Sequence, residues 1–226
     1  GDRQTVLLPD GSEVVMNTNS QLAVTFTPSE RVLHLSQGEI LVRVAADRSR
    51  PLSVIAGDRI IQAVGTEFVV EITDDHQVEL IVTEGKVVIG VQQPVVAPRA
   101  DDAVNTVVVP PVLVEQKDNV VSAGEVVILG SAGSVKKPLS ADDIEVELSW
   151  REGRLIFRSE PLEKALHEVE RYTTLEFVFL DESLRTRTLS GRFRAGDVEA
   201  LLLSLRLNFG IRHEYDGESR VLLSSL

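Results

Sequence analysis

The sequence contains no cysteine, and among its 226 residues there are only one Trp, two Tyr and one Met. Without cysteine there can be no disulfide, no thiolate zinc site and no cysteine nucleophile. Aromatics make up 4% of the chain against 43% hydrophobic residues, so the core must be aliphatic, built from Val, Leu, Ile and Ala. A carbohydrate-binding module, which stacks sugars on aromatic platforms, is disfavoured on the same ground. No apolar run reaches the roughly 18 residues that span a bilayer. No signal peptide opens the chain, which starts at Gly1 and reads as an excised soluble part of a longer protein. Basic residues are also few: 23 Lys and Arg against 35 Asp and Glu give a formal net charge of -12. That balance disfavours nucleic acid and direct contact with an anionic membrane surface.

What the chain does have is a repeated phrase. LPDGSEVVM, LSQGEILVRV, VTEGKVVIG and VSAGEVVIL each place a β-branched stretch on either side of a glycine, at Gly11, Gly38, Gly85 and Gly124. Asp10-Gly11 is a strong tight-turn signal, and Gly65 is a further turn position. Short strands are expected throughout residues 1–91, including Arg31–Leu35 and Glu39–Ala45 as separate strands joined at Gly38. The unequal spacing of the phrases argues against a regular solenoid. The expected architecture is an all-β domain over 1–130, an irregular β-solenoid or roll of stacked hairpins. Residues 92–119 interrupt it with Pro94, Pro98, Pro110 and Pro111, which predicts a long excursion. The Gly- and Ser-containing stretch within 131–149 reads as a linker.

From residue 150 the pattern changes. Leu162, Ala165, Leu166, Val169 and Tyr172 lie on one face of a helix, with Pro161 in its first turn. A second helix starts at Asp197 and stops at Gly210. With strands at 155–157, 175–180, 186–193, 211–215 and 220–223, residues 150–226 are expected to form an α+β split βαβ sandwich.

No catalytic constellation emerges. His34, His76, His167 and His213 fall in four different elements without metal-ligand spacing. The acidic pairs sit in turns or linkers, and neither a phosphate loop nor a nucleophile elbow has its required context. The chain is therefore read as a non-enzyme without metal or cofactor. One stretch stands apart electrostatically. RTRTLSGRFR carries Arg185, Arg187, Arg192 and Arg194 with no acid, inside a strongly acidic protein. Two readings stand: a solvated strand face balancing nearby carboxylates, or a strand whose rim or free edge accepts a protein partner. The exposed side of the preceding helix adds His167, Glu170 and Arg171 as candidate contacts.

Taken in order, the motifs resemble the FecR-like regulators of cell-surface signalling in Gram-negative bacteria. The resemblance is carried by LPDGSEVVMNTNSQL, RVLHLSQGEILVRVA, RPLSV, AVGTEFVV and VTEGKVVIG, then by WREGRLIFRSEPLEKALHEVERY and LSGRFRAGDVEALLLSL. The second half is similar to the small signalling domain at the N-terminus of secretins and TonB-dependent transporters. Val42 and Leu52 stand where the family pattern would have phenylalanine, and the proline-rich excursion is longer than usual. The resemblance implies a single-pass inner-membrane anti-sigma regulator whose periplasmic part is this chain. It implies three partners: the signalling domain of a TonB-dependent siderophore or iron receptor, an extracytoplasmic-function (ECF) sigma factor bound by a segment outside this sequence, and a periplasmic protease. The alternative is a structural envelope scaffold that assembles through its hairpins.

Overall fold

In the computed structural model, which describes residues 2–92, 113, 116, 118–131 and 133–226, the chain divides by contact into two units. One is Gln4–Ala141; the other is Asp142–Leu226 with Gly1–Arg3. At 51% strand and 17% helix, the described residues are mainly β. Most of the expected excursion 92–119 falls outside the described residues.

Among the described residues the first unit has twelve strands: β1 (Gln4–Leu7), β2 (Glu13–Met16), β3 (Gln21–Phe26), β4 (Arg31–Arg43), β5 (Leu52–Ala56), β6 (Arg59–Ala63), β7 (Glu67–Ile72), β8 (Val78–Glu84), β9 (Lys86–Val91), β10 (Val120–Ser122), β11 (Glu125–Gly130) and β12 (Gly133–Pro138). They form one curled, half-barrel sheet in the order β10-β9-β6-β5-β4-β7-β8-β11-β12, with β2 and β3 also paired to β4. The long β4 holds the two arms together. Its first half pairs with β3 and, in parallel, with β5. Its second half pairs with β2 and β7.

The repeated glycine phrase explains this geometry, but not as a row of hairpins. Gly11 does turn between paired strands β1 and β2. Gly38, by contrast, lies inside β4, so the two strands expected around it are one. Gly85 and Gly124 join strands that do not pair with each other: β8 bonds to β7 and β11, whereas β9 bonds to β6 and β10. These are corners, where the chain passes from one arm of the sheet to the other. Asn19 and Gly65 mark two more, and all five have positive φ, at 58, 84, 63, 79 and 83° in chain order. The hairpin expectation failed because a corner needs the same left-handed residue that a tight turn does. At Gly38 an added Cβ would stand 2.6 Å from Ser20 Cα, so only glycine permits that close approach. Gly85 is as tight, with Thr66 Cγ2 2.8 Å from where a Cβ would be.

Strand alternation then sends one set of side chains into a shared core. Phe68 is the lone aromatic among that cluster's buried members, which otherwise run from Leu8 to Leu129 as Val, Leu, Ile and Ala. One cation is buried among them. Arg31, with a fully covered side chain, meets Asp10 at 2.7 Å. It also donates to the carbonyls of Ala45 at 2.9 Å and Arg50 at 2.7 Å. Burial works against the Asp10 charge. The Ser12 hydroxyl and amide and the Arg31 guanidinium outweigh it, holding that carboxyl below its usual range.

The stretch read as a linker is not one. Gly133–Pro138 pairs with β11 across its whole length as an exposed edge strand, and Lys136 reaches Glu125 at 2.8 Å. Two lysines and a closing proline are what an edge carries to discourage further pairing. A short helix, α1 (Ala141–Glu147), follows where no helix was expected. It buries no residue, so it leaves no apolar stripe to read.

The second unit continues with a 3-10 turn (Ser149–Glu152), β13 (Arg154–Pro161), α2 (Leu162–Glu170), β14 (Glu176–Phe179), a second 3-10 turn (Glu182–Leu184), β15 (Thr188–Arg194), α3 (Val198–Phe209), β16 (Ile211–Asp216) and β17 (Arg220–Ser225). β13 and β15 form an antiparallel ribbon; β14, β17 and β16 form a three-stranded sheet in which β14 runs parallel to β17. The stripe Leu162, Ala165, Leu166 and Val169 is buried, while Tyr172 lies past the helix end. Pro161 closes β13 and precedes α2 rather than entering its first turn. Asp197 caps α3 through the Ala200 amide at 3.1 Å, and left-handed Gly210 ends it.

Candidate partner-binding surface

The arginine-rich stretch divides in two. The strand begins only at Thr188, so Arg185 and Arg187 precede it and do not share its alternation. Their backbone carbonyls accept from the first amides of α2: Arg187 O from Leu162 at 2.7 Å and Arg185 O from Glu163 at 3.2 Å. This satisfies donors that a helix start leaves open. Arg185 pairs with Glu182 at 2.6 Å and Glu163 at 2.8 Å, and lies 4.8 Å from the Phe179 ring centre. The Glu182 hydrogen bond, resisted by burial, raises the Arg185 pKa; the same bond lowers that of Glu182. Arg187 Nη1 donates to the Phe209 carbonyl at 2.8 Å, placing a cation on the C-terminal end of α3. Both arginines are committed to holding helices.

The three residues expected on α2 have work of their own. Glu170 accepts from the Phe177 amide at 2.8 Å and lies 3.6 Å from His167. Arg171 donates to Glu168 at 2.9 Å. They tie α2 to β14 and to itself.

Arg192 and Arg194 differ. In TLSGRFR, Leu189 and Phe193 point towards the core cluster, and Thr188, Ser190, Arg192 and Arg194 point away from it. On the adjacent strand Leu155 and Phe157 face the same core, so Arg154 and Arg158 face outward with Arg192 and Arg194. The register sets Arg154 directly opposite Arg194 and Ile156 opposite Arg192. The ribbon thus presents four arginines on one face. Arg158 and Arg192 reach carboxylates of α1: Arg158 to Asp142 at 3.6 Å and Glu145 at 3.9 Å, Arg192 to Glu145 at 3.2 Å. Arg154 pairs with Glu152. For Arg194 no ion-pair partner is found among the described residues. Sequence reasoning found Arg192 and Arg194 but missed Arg154 and Arg158. Their even spacing around the apolar Leu155 and Phe157 was the available signal.

The candidate turn residues Asp10, Gly11, Gly38, Gly65, Gly85 and Gly124 all belong to the corners and hairpins of the first unit. Among the described residues no group of three His, Asp or Glu side chains could hold a metal ion. Among the described residues no helix is long and apolar enough to cross a membrane.

The first unit is thus a corner-built β sheet, and the second an α+β unit with four arginines on the outward face of its ribbon. Two family models match: FecR protein over residues 1–88, and the C-terminal region of FecR over 154–222. The chain belongs to the FecR family, whose members are membrane-anchored sigma regulators with periplasmic domains. Two crystal structures of a candidate anti-sigma factor from Parabacteroides distasonis share the fold. The first is 23% identical with a TM-score of 0.72, covering 100% of this chain and 96% of that one. The second is 24% identical with a TM-score of 0.70, covering 100% and 95%. No curated protein matches the chain.

Proposed function

We propose that this chain is the periplasmic sensing part of an anti-sigma regulator, and that its second unit receives the signalling domain of a TonB-dependent siderophore or iron receptor. In this reading a segment outside the sequence holds an ECF sigma factor, and a periplasmic protease acts on the regulator once the receptor is engaged. The family membership and the fold shared with the P. distasonis protein support a sigma-regulating role. The observation that carries the receptor contact is the outward arginine face of the ribbon, the exception in a chain of net charge -12. A free strand margin supplies backbone hydrogen bonds for affinity, and side chains such as Arg192 and Arg194 choose the partner.

Titrating the chain with the signalling domain of its receptor tests this directly. Binding that the double variant Arg192→Glu/Arg194→Glu weakens at least about tenfold is the expected result. Unchanged affinity in that variant removes the ribbon as the contact. Rings or filaments in light scattering, with no binding of the receptor domain, would favour an envelope scaffold instead.

A further inference from the structure

The structure assigns α1 a second role: it occupies the arginine face of the β13–β15 ribbon as an internal mimic, and the partner segment that displaces it is acidic. This rests on the receptor reading for the identity of the partner, and on geometry alone for its chemistry. Arg154 and Arg194 lie directly opposite each other on adjacent strands, a like-charge pairing that Glu152 offsets at Arg154 and no ion-pair partner among the described residues offsets at Arg194. Four cations on one small face, in a protein with a surplus of acids, call for a carboxylate-bearing ligand. Part of that ligand is already present. Asp142 and Glu145, one helical turn apart, reach Arg158, and Glu145 also reaches Arg192.

That arrangement covers the face incompletely. The α1 pairs are long, at 3.2–3.9 Å, and their side chains are 41–78% exposed. Exposed ion pairs of this kind contribute little, and no residue within α1 itself is buried, although Leu148 just after it and Ile156 on the arginine face are. The helix also stops short of Arg194, which has no ion-pair partner among the described residues. A partner segment with carboxylates three residues apart and one more acid towards Arg194 would satisfy the face better than α1 does. Its binding would free α1 from the ribbon.

The probe is a synthetic peptide of Ser140–Leu148, SADDIEVEL, and its neutral counterpart SANNIQVQL, each titrated into the full chain by NMR. In the wild type the tethered helix competes at high local concentration, so the acidic peptide should bind weakly. In the variant Asp142→Asn/Glu145→Gln the face is opened, and the acidic peptide should bind about tenfold more tightly, shifting β13 and β15 amides. Adding Arg192→Glu and Arg194→Glu should abolish that gain, and raised salt should reduce it. All substituted residues are exposed, and unchanged melting temperatures confirm folding. Equal binding of the neutral peptide, or no tightening when the acids of α1 are removed, would overturn the proposal. The receptor domain in the same titration separates the two ideas. If it binds while the peptide does not, the mimic falls and the receptor reading stands; the reverse outcome keeps the acidic-ligand face and removes the receptor.

Discussion

The two units use arginine in opposite ways. In the first, the side chain of Arg31 has 0% exposure and every polar contact it makes is internal; in the second, that of Arg192 is 61% exposed and meets its acid at 3.2 Å. The inner cation serves only shape, pinning the Pro9–Ser12 turn and the 44–51 loop to the start of β4. The outer cation lies at the surface, where an ion pair does little for shape. Burial, more than residue type, decides which role an arginine can take.

The sharpest way to break this contrast is at Arg31. Arg31→Ala leaves Asp10 without its counter-charge and several carbonyls without donors, and should cost about 3–5 kcal/mol in chemical denaturation. Asp10→Asn should be nearly as damaging at pH 7. Because the folded-state pKa of Asp10 is lowered, its contribution is fully present above the ordinary value of 3.8 and fades as pH falls through the folded value. Urea titrations at pH 7 and pH 3 should show the difference between wild type and variant shrinking in acid. A difference that grows in acid would mean the pair was misread.

Next come the corners. Gly38→Ala meets both a left-handed backbone and the Ser20 Cα, and should cost about 3 kcal/mol. At Gly124 an added Cβ would find nothing nearer than the Leu139 carbonyl oxygen at 4.0 Å. Gly124→Ala should therefore cost only the backbone strain, about 1–2 kcal/mol. Equal losses at both would show that conformation, not proximity, sets the corner's demand. The smallest stability effect belongs to the outer arginines: Arg192→Glu/Arg194→Glu should change unfolding free energy by no more than about 0.5 kcal/mol per residue. A large loss there would turn the ribbon face into a structural feature and erase the comparison.

The second unit was largely readable from sequence because its signals are local. The stripe from Leu162 to Val169, the Asp197 cap and the Gly210 stop all act within a turn or two of chain. In the first unit the strands were readable but their pairing was not. A glycine between two β-branched runs looks the same whether those runs face each other, as at Gly11, or join different arms, as at Gly85. Pairing is decided by residues far along the chain, and no short window contains it. The arginine face was half legible for a related reason. Alternation along β15 exposed Arg192 and Arg194, but their cross-strand neighbours Arg154 and Arg158 needed the register. The acids of α1 needed a helix that seven residues without a buried stripe do not announce.

The five corners also limit how such a protein can grow in evolution. A residue inserted at Asn19, Gly38, Gly65, Gly85 or Gly124 would exchange the inward and outward side chains of the strand that follows, because strand side chains alternate with period two. New sequence is tolerated where a connection joins two paired neighbours and only closure entropy grows with length. The join from β9 to its neighbour β10 is such a place, and it is there that this chain carries its long proline-containing stretch.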